Sequence, residues 1–175
     1  MSIYIGIDNG ISGGLVFLRN GREVLQQATM PLNRTKKGNE IDPVMLHSVL
    51  HEFLEQVGGC ANCTVVLEEP GGSKNYKAAV SMAHSFAVIY TVCRLLRLRV
   101  IRITPQAWQN QLLGVSAERK RLKSTGATGK QTKPDTKRMA LTKASELWPG
   151  HNWLENPACR VPHTGLVDAA LIAYY

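Results

Sequence analysis

Asp8, Glu68 and Asp168 each stand in or at the end of an otherwise apolar segment: Tyr4-Ile5-Gly6-Ile7-Asp8, Val65-Val66-Leu67-Glu68 and Leu166-Val167-Asp168-Ala169-Ala170-Leu171. An ionised carboxylate at the edge of a core is costly unless it is paired or bound to a cation. Three such groups, drawn from distant parts of the chain, are the oxygen donors that hard divalent cations take. One or two Mg²⁺ ions, or Mn²⁺ in their place, would relieve the repulsion among them. A pair of such ions can stabilise both the attacking water and the leaving oxygen of a phosphodiester. The formal net charge of +8, from 21 basic against 13 acidic side chains, favours a polyanionic substrate. Together these features point to metal-dependent nuclease chemistry. Plainer readings exist: Asp8 before Asn9-Gly10 suits a turn, and Asp168 suits the positive end of a helix dipole. The conjunction of the three favours a site.

The elements that must position these residues read as follows. Residues 3–8, 13–18 and 23–28 are strands, the last two joined by the hairpin signal Asn20-Gly21, giving an antiparallel meander. Residues 31–39 read as an exposed polar loop. A helix starts at Asp42 or Pro43 and stops at Gly58-Gly59. Residues 64–67 form a short buried strand, 77–97 a long apolar helix and 99–103 another strand. Pro105 opens a helix, and 118–138, with eight Lys or Arg, reads as a mobile basic segment. Helices follow at about 135–147 and from Leu166 to Tyr175. The order predicts one three-layer α/β domain over residues 1–175, with Asp8 and Glu68 on neighbouring central strands.

Composition narrows the classes. Hydrophobic content of 44% and charged content of 19% are those of a folded protein. Met1-Ser2 leads straight into a strand with no signal-peptide pattern, and the apolar stretches read as far short of a membrane span, so an intracellular chain with no membrane partner is expected. Cys60-Ala61-Asn62-Cys63 has half the spacing of a zinc site, but no second pair completes it. These cysteines read as incidental thiols.

Four segments carry a family resemblance: Ile5-Gly6-Ile7-Asp8-Asn9-Gly10-Ile11-Ser12-Gly13-Gly14, Val66-Leu67-Glu68-Glu69-Pro70, Ile103-Thr104-Pro105-Gln106-Ala107-Trp108 and His163-Thr164-Gly165-Leu166-Val167-Asp168 with the apolar run after it. In order and spacing the chain resembles the RuvC-like Holliday-junction resolvases, particularly the phage-type and organellar branch. The resemblance implies a ribonuclease H-like α/β/α fold with a five-stranded mixed sheet. It also implies a homodimer that binds four-way DNA junctions and cuts two strands symmetrically, leaving 5′-phosphates. Asp8, Glu68 and Asp168 match the family's metal-binding carboxylates, with Mg²⁺ the implied cofactor, two ions per site. One departure concerns a fourth ligand, Asp or His, three or four residues before the last acid; here Gly165 and Thr164 hold those positions. His163 is the nearest substitute, either as a ligand or water-orienting group or as a structural residue at the helix start.

Junction binding calls for an extended basic face. Lys74, Tyr76 and Lys77 follow Glu68 closely, with Tyr76 placed to stack on an unpaired base. Lys133 and Lys137 resemble the family's functional lysine region. Two other classes compete. The Gly6 to Gly14 segment also resembles the phosphate loop of actin-like kinases, which need two such domains. The vacant fourth-ligand position suits a branched-DNA-binding protein with little or no catalysis.

Overall fold

The computed structural model describes residues 1–36, 38–72, 75–125 and 133–175. A five-stranded mixed sheet is built from β1 (Ile3–Ile7), β2 (Gly14–Arg19), β3 (Glu23–Thr29), β6 (Cys63–Glu68) and β7 (Arg99–Ile103), in the order β3-β2-β1-β6-β7. β2 runs antiparallel to both β1 and β3, as the meander predicts. β6 runs parallel to β1 and to β7. The chain thus builds outward from β1 on one side and then returns to build on its other side. In open α/β sheets such a reversal leaves a crevice at the carboxyl ends of the strands. Asp8 follows β1 directly and Glu68 ends β6, so both stand at that crevice.

The helices are α1 (Pro43–Gln56), α2 (Tyr76–Leu95), α3 (Pro105–Trp108), α4 (Val115–Ser124), α5 (Thr136–Leu147) and α6 (Thr164–Tyr174), with a π-helical turn at Gln109–Leu113. Asp42 caps α1 by accepting from the backbone N–H of Val44 and Met45, with Pro43 in the first turn. Strand alternation sorts the sheet's side chains into two cores. Ile3, Ile5, Ile7, Val65 and Leu67 face α1 and α2, meeting Leu46, Leu50 and Phe53 of α1 and Ile89 of α2. Val16, Leu18 and Val66 face the other way, against Ala140 and Ala144 of α5 and the apolar side of α6. The architecture is therefore the three-layer α/β/α expected.

Three expectations are corrected. Residues 31–39 are not simply a loop: β4 (Leu32–Thr35) and β5 (Gly38–Ile41) pair as a small hairpin whose exposed polar faces hid it from a hydrophobicity reading. The first part of the basic segment is helical, within α4 (Val115–Ser124), where Asn110 Oδ1 accepts from the Ser116 N–H and hydroxyl and closes the helix start, while its residues 126–132 lie outside the described residues. Finally, α2, at 20 residues with an 18-residue stretch of mean hydropathy 1.3, is long and apolar enough to cross a membrane by length and composition. Its Ile89, Val92 and Cys93 are nonetheless buried in the protein's core.

Candidate active site

Side chains at even positions of β1 and β6 point toward α6, and the register pairs Ile7 with Leu67, so Asp8 and Glu68 emerge side by side on that face. Asp168 reaches them from the second turn of α6. Its arrival depends on the absence of side chains between helix and sheet. A Cβ on Gly6 would lie 1.9 Å from the Ala169 carbonyl oxygen, and one on Gly165 would lie 2.3 Å from the Ser12 carbonyl oxygen. Gly13 and Gly165 come close enough to form a parallel β-bridge, which fastens the start of α6 to the loop after Asp8. That loop is held in turn by the Asp8 N–H donating to the Gly14 carbonyl at 3.1 Å.

All three carboxylates are partly buried, and none is sealed from solvent. Burial pushes the Asp8 carboxyl well above its ordinary value, and the charges of Glu68 and Asp168 add to the effect. Burial and then the Glu68 charge push Asp168 up to about 7, with Lys137 opposing. Burial also raises Glu68, whereas a hydrogen bond from Trp108 favours its ionised form. The three acids therefore repel one another through space, and the Lys137 charge offsets part of that repulsion at Asp168. Among the described residues, no three His, Cys, Asp or Glu side chains form a ready-made metal cluster. The donor set still fits a hard cation: it is all oxygen, and its mutual repulsion is what a bound divalent ion would relieve.

Trp108 is a site residue that the sequence reading left without a role. Its indole Nε1–H donates to Glu68 Oε1 at 2.7 Å, while the ring is 1% exposed. The Thr104 hydroxyl accepts from the Ala107 N–H and starts the short helix that delivers it. The signal available was the Thr-Pro-Gln-Ala-Trp segment itself, where tryptophan reads as ordinary core. Asn9 is also 4% exposed; its side-chain amide donates to the Met82 carbonyl of α2 at 3.3 Å, and its Oδ1 is enclosed without a partner.

The remaining predicted residues fall as follows. His163 occupies the N-cap of α6, but its side chain makes no capping hydrogen bond and its Nδ1 is enclosed without a partner. Thr164 is exposed at the first position of α6. Lys137 lies in the first turn of α5, near enough to Asp168 to act on its charge. Tyr76, 80% exposed, and Lys77 begin α2, and Lys133 is exposed before α5. Lys74 lies outside the described residues. The Cys60 and Cys63 thiols are free.

No protein-family model matches the chain, and no curated protein matches it by sequence. Solved structures do. The chain is similar to T. thermophilus RuvC in complex with Holliday junction substrate, with a TM-score of 0.61, 16% identity, and 99% of this chain and 91% of that chain covered. It is also similar to the Thermus thermophilus RuvC structure, with a TM-score of 0.54, 17% identity, and 98% and 91% covered. The fold is that of RuvC.

Proposed function

We propose that this chain is a structure-specific endonuclease that binds four-way DNA junctions as a homodimer and hydrolyses two strands symmetrically with the help of divalent metal ions. The observation that carries this reading is the convergence of Asp8, Glu68 and Asp168 on one crevice, at the reversal point of a sheet with the RuvC fold. Asp8 and Glu68 would hold the cation, with Asp168 closing the set. When bound, Mg²⁺ or Mn²⁺ supplies positive charge that stabilises the phosphodiester as water attacks it. Trp108 fixes one Glu68 oxygen, so the carboxylate would be held in place to take up a cation. Lys137, beside Asp168, supplies charge that suits a phosphate oxygen.

Binding would draw on Lys77, Lys133, Lys137 and the exposed cations Arg119, Lys120 and Lys123 of α4. A dimer would use α2, whose apolar stretch is only 22% buried and leaves Val80 and Leu95 exposed. An intracellular location agrees with such a substrate.

The test is a labelled four-way junction incubated with the protein and Mg²⁺ or Mn²⁺. Paired, symmetric nicks are expected. A second reading, a branched-DNA-binding protein with little catalysis, is favoured by Thr164 and Gly165 at the fourth-ligand positions and by the absence of a ready-made three-donor cluster among the described residues. Tight junction binding with no nicks, unchanged by Thr164→Asp, would establish that reading and overturn the first.

A further inference from the structure

A cavity of about 380 Å³ opens beside Asp168, between the first turns of α5 and α6. Its walls are apolar: Ala140 and Leu141 from α5, Val167 from α6, and Val161 and Pro162 from the segment before α6. Lys137, Arg138 and Thr164 also line it and are exposed, which gives it a cationic, polar rim. Asp135 lines it too, but its Oδ1 accepts the Arg138 backbone N–H and so caps α5.

An apolar hollow with a few polar groups, within the ~300–1,000 Å³ typical of ligand pockets, suits a small body with apolar faces and polar edges. Because Asp168 forms part of the wall, the occupant must lie next to whatever phosphate the three acids address. In DNA that neighbour is the sugar and base of a flanking nucleotide. A nucleobase has apolar faces for Leu141, Val161 and Val167 and a polar edge for the rim. Its attached phosphates are matched in sign by Lys137 and Arg138. At a branch point, unstacking one base costs less than within a continuous duplex.

We propose that this cavity receives one unstacked nucleobase of the strand being cut, adjacent to the scissile phosphate, and that its fit sets the sequence preference of cleavage. The proposal rests on the junction-nuclease reading and names a subsite of the same site. Val161 is the residue to alter, because it is 76% exposed and can be enlarged without disturbing the core.

Cut sites are first mapped on junctions of varied sequence. The Asp8→Asn protein, which should bind without cutting, is then mixed with junctions carrying 2-aminopurine at each position flanking the cut. Fluorescence should rise several-fold at one position and stay flat there when Val161→Trp is added. With active protein, an abasic site at that position and the Val161→Trp substitution should each slow cleavage about tenfold. Combined, they should be no slower than either alone, since each leaves the cavity without its base. Flat fluorescence at every position, or penalties that multiply to about a hundredfold, would overturn the proposal while leaving junction cutting intact. A protein that neither binds nor cuts junctions would overturn both readings.

Discussion

The two faces of the central sheet are built on opposite rules. Toward α1 and α2 the strands present Ile3, Ile5, Ile7, Val65 and Leu67, and large side chains hold those helices at a distance. Toward α6 the same strands present Gly6 and Val66 and then the acids Asp8 and Glu68, and the helix lies nearly on the backbone. The first face is an ordinary apolar core and contributes stability. The second gives up side-chain burial at Gly6 and Gly165 to bring a third acid within electrostatic reach of the other two. The lesson is that the site is made by what is missing from one face as much as by the carboxylates on it.

The contrast can be broken in graded ways. The largest effect should come from Asp8→Asn, which removes a charge from the second face and leaves the first untouched. Junction cleavage should fall by about a thousandfold or more, the scale seen when groups that act as a unit are removed, with junction affinity in a gel-shift assay little changed. Next, Gly6→Val would force Cβ and both methyls into the Ala169 backbone. Urea denaturation should show a loss of more than about 4 kcal/mol, or no folded protein at all. Leu67→Ala on the opposite face should cost about 2–5 kcal/mol by leaving a cavity, but the surviving folded protein should cut normally. Equal damage to cutting at matched stability would show that the two faces are not separable.

A smaller effect is expected from Trp108→Phe, which keeps an aromatic side chain, though a smaller one, and removes the N–H that Glu68 accepts. Stability should drop by about 1–3 kcal/mol, and Mn²⁺ affinity, followed by titration calorimetry, should weaken. The smallest effect concerns pH. Asp168 has its carboxyl raised from 3.8 to about 7, and Asp8 and Glu68 move in the same direction. Between about pH 4 and 7 the folded state then holds protons that the unfolded chain has lost, so stability falls as pH rises through that window. Without metal, Tm should therefore be higher at pH 5 than at pH 8. Added Mg²⁺ should raise Tm more at pH 8. The reverse order would mean that the acids are neutralised within the protein.

Much of this was legible in the chain because periodicity reports burial. The strand at residues 99–103, the Asp42-Pro43 helix start and the neighbouring strands that deliver Asp8 and Glu68 all follow from apolar runs and their punctuation. The β4–β5 hairpin was not legible, since Asn33, Arg34, Asn39 and Glu40 lie exposed and leave no buried alternation. Helix α4 was obscured in the same way: its only buried residue is Val115, and its start is set by Asn110 five residues earlier. Trp108 escaped because its role depends on a hydrogen bond to a residue forty positions away, which no local pattern encodes.

The bridge between Gly13 and Gly165 has a consequence for how the protein comes into being. As the chain leaves the ribosome, Asp8 and Glu68 emerge long before Asp168, and the face they occupy lacks the helix that carries the third acid until Thr164–Tyr174 arrives. Closing a loop of that length is a late and entropically costly step in folding. On the proposed function, a nascent chain can assemble most of its sheet while holding an incomplete set of acids. Nuclease capability is then withheld until α6 docks.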